Sequence, residues 1–353
     1  MKFILASSAI TSVCLAFIFL FAQDQLNQQM HGSVIVLLVG LPVLALELYV
    51  EGVARAHGRY LLGIVPGYVL RPIAVMAILF GLRFAGVQLT AEVALAAVIL
   101  STLLLVAMQG AVLWRSINKT QQKVAPKRLK RLKMMWIKAS LPLVVITGVE
   151  ELFYWSDVVI LGFMVPPAEI SIYFAALRVM AITNFIHYAF MFVFAREFSV
   201  AHAGGDADFL RRKVTTASSW TFWLTVPAIV LILLSGPLLL SMFGEEFLSG
   251  QVIMLVIGIG ILGKSLVGPA ANLLIVTGYA RQSVVISFVA LITNVVISVT
   301  LILFFGIIGA AIGTAIAQIF RSIMIAIYCK QKMSVNVLPT LNPLKSLFGA
   351  PKT

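Results

Sequence analysis

Charged side chains are scarce in this sequence, so the few that interrupt long apolar runs are the first candidates for chemistry. Three are basic, Arg71, Arg178 and Lys264, and three are acidic, Glu150, Glu151 and Asp157. Asn184, His187, Asn272 and Asn294 add uncharged polarity in the same kind of run. An ionisable group at membrane depth is costly, so it faces a bundle interior or a water-filled cavity. A cation in low dielectric holds phosphate strongly. Arg71, Arg178 and Lys264, with Asn272, are therefore expected to contact an anionic ligand. Glu150, Glu151 and Asp157 are expected to take up a proton or a sodium ion. Helical neighbours are about 100° apart, so one of the two adjacent glutamates must point away from the other. The competing arrangement is internal pairing, in which Glu150 or Glu151 neutralises Arg178 or Lys264. Asn272 and Asn294 also suit inter-helix hydrogen bonds worth about 1 kcal/mol. His187 reads as a buried polar helix contact.

The elements that must position these residues are membrane helices. Of 353 residues, 61% are hydrophobic and 11% are charged, whereas a soluble domain carries about 25% charged residues. Runs of about 18 or more apolar residues recur, each long enough to cross the hydrocarbon. The runs are continuous rather than alternating, which selects helices over a barrel. About ten spans are expected, at Phe3–Ala22, Ser33–Val53, Leu61–Arg83, Thr90–Trp114, Ser140–Met164, Ile170–Phe194, Val214–Leu234, Val252–Thr277, Ser283–Phe305 and Ile307–Ile327.

The bases fall in alternate connections. One side takes Lys2, Arg55, Arg59, the run from Arg115 to Lys138, then Arg196, Arg211, Arg212, Lys213, Arg281, Lys330, Lys332, Lys345 and Lys352. The other side holds Arg83 with Asp24, Glu169, Glu245 and Glu246. Basic short loops stay cytoplasmic, which puts both termini inside. The net charge of +13 is then topogenic and attracts anionic membrane lipids, and no nucleic acid is called for. The segment 126–136 mixes bases with Leu, Met and Trp and is expected to lie as an amphipathic helix on the cytoplasmic surface.

Cys14 and Cys329 are too few and too distant for a disulfide framework or metal site. The first span lacks a small-x-small cleavage site, which argues against a removed signal peptide. No metal-spaced cluster, nucleophile elbow or phosphate-binding glycine loop is present. The short non-cytoplasmic loops leave little room for a catalytic site, so neither enzyme activity nor a cofactor is expected.

A short echo suggests internal organisation. Val50-Glu-Gly-Val-Ala-Arg55 and Val276-Thr-Gly-Tyr-Ala-Arg281 agree at four of six positions, each at the end of a span. Helices six spans apart and running the same way imply parallel lobes. The expected division is a partial N-terminal lobe of four helices at 1–114, a basic cytoplasmic linker at 115–138, a six-helix lobe at 139–328 and a cytoplasmic tail at 329–353. Gly306, Gly309 and Gly313, with Ala310 and Ala317, form a small-residue face suited to close helix packing. Gly258, Gly260 and Gly263 are expected to allow bending or close approach.

Trp155-Ser-Asp-Val-Val-Ile-Leu-Gly162, followed by 167–178 (PAEISIYFAALR), resembles the start of the second lobe in bacterial polysaccharide flippases. These belong to the multidrug, oligosaccharidyl-lipid and polysaccharide exporter superfamily, which includes MATE-like transporters. Similar stretches follow in family order: 242–247 (MFGEEF), 268–278 (GPAANLLIVTG), Asn294 and 306–315 (GIIGAAIGTA). Leu41–Glu47, Gly58–Tyr60 and Leu70–Pro72 look similar to the family's fourth and fifth helices. The resemblance implies an all-α fold in two MATE-like lobes, the first lacking two helices. It also implies an undecaprenyl-diphosphate-linked oligosaccharide as cargo, moved from the cytoplasmic to the periplasmic leaflet by alternating access. The basic side chains would face a cavity between the lobes, and the acids would couple an ion to the cycle. A multi-pass location in the bacterial inner membrane follows, with a polysaccharide polymerase or ligase as a protein partner. Cation-coupled drug export and a non-transporting scaffold role in polysaccharide assembly are the alternatives.

Overall fold

The computed structural model describes residues 2–22, 28–117 and 126–340. Asp24, the basic linker residues 118–125 and the tail residues Lys345 and Lys352 lie outside the described residues. Among the described residues every regular element is helical. The chain separates into two compact units, Met1–Pro126 and Lys127–Thr353.

The first unit contains α1 (Lys2–Ala22), α2 (Gln28–Ala56), α3 (Tyr60–Val65), α4 (Arg71–Phe84) and α5 (Ala91–Ile117). A π-turn at Pro66–Leu70 joins α3 to α4. Val50, Ala54, Val106 and Leu113 form its buried centre, where α2 packs on α5.

The second unit contains α6 (Pro126–Met164), α7 (Pro167–Met180), α8 (Asn184–Ala203), α9 (Ala207–Leu234), α10 (Gly236–Ser241), α11 (Gln251–Ser265), α12 (Ala270–Val276), α13 (Ala280–Phe305) and α14 (Ile307–Met333). One core collects Leu161, Tyr173, Met180, Leu240, Met254 and Ala311. A second gathers Phe198, Val214, Leu273, Leu274, Ile325 and Val335.

Eight described helical runs are long and apolar enough to cross a membrane, from His31–Ala56 through Ile307–Met333. The helices α1 and α6 coincide with the two remaining expected spans. The protein is thus an all-α, multi-pass membrane protein of about ten spanning helices.

Four local expectations change. The basic segment is no separate surface helix. It forms the first turns of α6, which runs unbroken for 39 residues. Pro126 suits a first helical position, and no Gly or Pro interrupts the good helix formers from Lys127 to Leu141.

Span eight is broken rather than continuous. α11 stops at Ser265, Gly268 takes φ +50, and α12 starts at Ala270. Pro269 lacks an N–H and disfavours α geometry in the residue before it. Ser218 Oγ donates to the Val267 carbonyl at 3.1 Å, which occupies an acceptor at the break. A Cβ on Gly268 would sit 2.8 Å from Ser218 Cα.

The third change concerns the echo. Gly52 lies inside α2, whereas Gly278 is a turn residue with φ +88. The structural counterpart of Gly278 is Gly58, with φ +72. Arg59 N–H bonds the Ala54 carbonyl at 3.0 Å, and Tyr279 N–H bonds the Leu274 carbonyl at 2.7 Å. Both helices end in the same glycine-dependent reversal, six positions out of register with the sequence match.

Finally, the start of the tail is docked on the second unit. Ser334 turns the chain with φ +53, and Val335 N–H bonds the Cys329 carbonyl at 3.2 Å. Residues 334–340 then run along α9. Arg211 Nε, Thr215 Oγ1 and Trp223 Nε1 donate in turn to the carbonyls of Ser334, Asn336 and Thr340. Val335 and Val337 are buried in the second core.

The small-residue face of α14 packs as expected. A Cβ on Gly313 would lie 2.8 Å from Ser298 Cα on α13. Gly260 on α11 meets Ala315 on α14 equally closely, so it serves as a close-packing point within a continuous helix.

Candidate functional site

In the first unit the π-turn places Arg71 opposite α2. Pro72 cannot donate a backbone hydrogen bond, and the Arg71 N–H reaches back to the Pro66 carbonyl in the wider π pattern. Such insertions recur at functional positions. Arg71 Nη1 meets Glu47 Oε2 at 2.7 Å. Nearby, Gln109 Nε2 on α5 donates to the Leu62 carbonyl at 2.8 Å, which holds α3 against α5.

In the second unit the acids divide between two networks. Asp157, on α6, is 1% exposed. Its Oδ2 accepts a short hydrogen bond from Tyr173 Oη on α7 and a longer one from Thr314 Oγ1 on α14 at 3.3 Å. Asn294 on α13 continues the set. Its amide donates to Ser156 Oγ at 2.8 Å, and its Oδ1 accepts from Ser298 at 2.9 Å and Thr314 at 3.4 Å. Four helices thus contribute oxygen-bearing side chains around one buried carboxyl.

Two turns earlier on α6, Glu150 Oε1 accepts from Ser287 Oγ at 2.8 Å and forms a close ion pair with Arg321 Nη2 of α14. Lys264, on α11, is within electrostatic range of both Glu150 and Arg321, and His187 of α8 is within range of Lys264. Only Arg321 is at ion-pair distance of the Glu150 carboxylate among the described residues. Arg321 also lies over the Phe153 ring at 5.4 Å.

Glu151 points elsewhere, as its helical offset requires. It is exposed and accepts from Trp155 Nε1 at 3.2 Å. Arg178, on α7, is exposed on the unit. Its guanidinium lies 4.6 Å from the Phe174 ring centroid and 5.5 Å from that of Trp155. Among the described residues no carboxylate reaches ion-pair distance of it. An apolar cleft of about 390 Å³ opens next to Trp155, between Leu152, Val159 and Ile160 of α6 and Leu291 and Val295 of α13. Asn272 is half-buried on α12, beyond the break in span eight.

Glu150 is paired with neither Arg178 nor Lys264 but with Arg321, which the sequence reading passed over. Arg178 is not neutralised by either glutamate, and it rests on aromatic rings instead. Glu47, Arg321, Tyr173 and Thr314 were all missed as candidates. Glu47 and Arg321 carried the same signal as the residues chosen, a charge inside an apolar run. Tyr173 and Thr314 carried none, because hydroxyls are common in such runs.

No family model matches the chain. Two curated relatives come from Haloferax volcanii. One, named Probable low-salt glycan biosynthesis flippase Agl15, is 28% identical over 196 residues, 54% of this chain and 41% of the relative. The other, named Probable flippase AglR, is 28% identical over 205 residues, 56% of this chain and 41% of the relative. The chain spans about two fifths of the length of these relatives. Among solved structures, an inward-facing multidrug resistance MATE family transporter of the MOP superfamily superposes with a TM-score of 0.75 at 14% identity, covering 94% of this chain and 79% of that one. The lipid II flippase MurJ in an inward closed conformation gives 0.65 at 12% identity, covering 98% and 76%. The fold is that of MOP-superfamily transporters, and the resemblance read from the sequence is met by relatives named as flippases.

Proposed function

On this fold, we propose that the chain acts in a flippase for lipid-linked oligosaccharide, moving an undecaprenyl-diphosphate-linked cargo from the cytoplasmic to the periplasmic leaflet by alternating access. The observation that carries the reading is a guanidinium inside a membrane-spanning helix of the second unit, that of Arg178, which no carboxylate neutralises. Arg178 has no acid partner among the described residues, whereas Arg321 pairs with Glu150. Cations held away from water are costly unless an anion compensates them. A diphosphate headgroup supplies that anion, and Arg offers it a planar set of donors. Phe174 and Trp155, which flank Arg178, are suited to stack against sugar rings, and the apolar cleft beside them suits an isoprenyl chain.

Asp157 takes the coupling role. It is an enclosed carboxyl bonded by Tyr173 and Thr314, and Thr314 in turn reaches Asn294, an oxygen-rich set that fits a proton or a sodium ion better than a large cargo. Loading it would shift the balance between two states only through a difference in affinity between them. Arg71, Lys264 and Asn272 are assigned as further cargo contacts, and Glu150 as the counterion that holds Arg321 in place.

Drug export is the competing reading, favoured by the superposition on the MATE transporter. Cationic drugs would meet Arg178, Lys264 and Arg321 with like charge, which is why the anionic cargo is preferred.

The test is made in cells deleted for the gene, by measuring lipid-linked oligosaccharide and surface polysaccharide together. Accumulation of the lipid intermediate with loss of surface polymer, reversed by this 353-residue chain, is the expected result. Unchanged pools would remove the flippase reading.

A further inference from the structure

Arg71 lies near the middle of the run Tyr60–Phe84, and Glu47 meets it from the run His31–Ala56. The two partners are unequally enclosed. The Glu47 side chain is 11% exposed and that of Arg71 is 35% exposed. The acid therefore sits behind the guanidinium, which keeps an open side. The π-turn builds this arrangement. Gly67 lies against the carboxylate, and a Cβ there would be 3.3 Å from Glu47 Oε1. The other charged groups near α2 are engaged elsewhere. Glu51, one turn on, pairs with Arg55 at 3.3 Å, and Glu92 of α5 lies against Gly32, towards the opposite end of α2. Among the described residues Arg71 is the only cation in ion-pair distance of Glu47.

We propose that Glu47 is a selectivity residue, setting how much negative charge a lipid headgroup must carry to engage Arg71. Diphosphate-linked headgroups are accepted, and the singly charged phosphodiesters of bulk phospholipid are refused. The inference rests on the reading of Arg71 as a headgroup contact. A lone arginine at this depth would take the nearest phosphate, and phospholipid is the abundant source. With Glu47 in place, an incoming group must compete with a carboxylate already at 2.7 Å. A phosphodiester with one charge offers a like-for-like exchange and leaves a buried carboxylate unpaired, which is unfavourable. A diphosphate diester brings two charges and more acceptor oxygens, so it can hold the open side of the guanidinium while Glu47 keeps the other. Rejection of the wrong ligand by a built-in competitor is a general route to specificity.

The experiment uses the full chain in nanodiscs and a fluorescent farnesyl-diphosphate N-acetylglucosamine probe. Affinity is measured in discs of neutral lipid and in discs rich in phosphatidylglycerol. In wild type, phosphatidylglycerol should change the affinity by less than about twofold. In Glu47→Gln it should weaken probe binding by roughly tenfold, a difference of about 1.4 kcal/mol, because phospholipid now occupies Arg71. Glu47→Asp keeps the charge but withdraws it by one methylene, and a partial loss in the same direction is expected. It serves the same purpose where Glu47→Gln is not recovered folded. A Glu47→Gln or Glu47→Asp protein as indifferent to phosphatidylglycerol as wild type would overturn the selectivity role. Arg71→Gln separates the underlying reading. If that variant binds the probe as wild type does, Arg71 is not a headgroup contact. If it loses the probe while the Glu47 variants stay indifferent to phosphatidylglycerol, Arg71 is a contact and Glu47 is structural.

Discussion

Tyr173 donates its phenolic hydrogen to Asp157 Oδ2, and the two side chains are 0% and 1% exposed. The bond joins α6 to α7 and fixes the rotamer of an acid that Thr314 approaches from α14. A carboxyl enclosed in this way must have its oxygens satisfied, since each buried acceptor left alone costs about 1–3 kcal/mol.

Tyr173→Phe keeps the ring and removes the donor. It should lower stability by about 1–3 kcal/mol and lower the apparent melting temperature in detergent. Asp157→Asn should leave the fold closer to wild type, since an amide still accepts from Tyr173, while removing the ion-coupled component of transport. A thermal series on both variants with a flipping assay separates the two effects. An Asp157→Asn protein that still transports with unchanged ion dependence would end the coupling assignment.

At Arg178 the charge and the planar stacking can be separated. Arg178→Lys keeps the charge but loses the fit over Phe174 and Trp155, because Lys is a compact point charge. Flipping should fall by about tenfold for Arg178→Lys and by more for Arg178→Ala, where charge and donors both go. Membrane levels of folded protein should hold in both. Full activity in Arg178→Ala would show that the cargo does not use this residue.

The Glu150–Arg321 pair can be read by a double-mutant cycle. Glu150→Gln alone leaves Arg321 without its acid, and Arg321→Gln alone leaves Glu150 with Ser287. Removing one partner of a partly enclosed pair should cost about 1–3 kcal/mol, below the value for a fully buried one. The double variant should recover part of the loss from Glu150→Gln. Strict additivity in unfolding measurements would mean that the pair contributes no coupling.

Close packing of α13 on α14 depends on Gly313. A methyl there would approach Ser298 Cα at 2.8 Å, and backbone cannot retreat as a side chain can. Gly313→Ala should cost about 1–3 kcal/mol through overpacking, and Gly313→Val should sharply reduce recovered protein. Size-exclusion profiles and thermal melts of the purified variants provide the check.

The docked segment after Met333 is testable by removing its anchors. Val335 and Val337 are 2% and 1% exposed, so replacing each by Ala should cost about 1–2 kcal/mol from lost burial and cavity formation. Protease protection of the C-terminal residues should fall in parallel. Unchanged protection would mean that the segment is not held by these side chains.

What the sequence determined by itself is the class of the protein and most of its helices. Apolar runs of membrane length leave the chain one kind of secondary structure, because every backbone polar group must be satisfied within its own helix. The glycine face of α14 was legible for a related reason. Small residues at helical spacing are where backbones can approach, and Gly313 and Ser298 do so.

Tertiary structure alone decided which charge meets which. Glu150 pairs with Arg321, 171 positions away, and Glu47 with Arg71, 24 positions away. The rotation of each helix about its own axis selects these partners, and that rotation is set by packing against neighbours. The break at Gly268 shows the same division. Pro269 marks a weak point in the sequence, but the chain turns there with Ser218 of another helix against the bend. The course of residues 334–340 along α9 is set by hydrogen bonds from side chains more than a hundred positions away, a distance over which local sequence pattern carries no information.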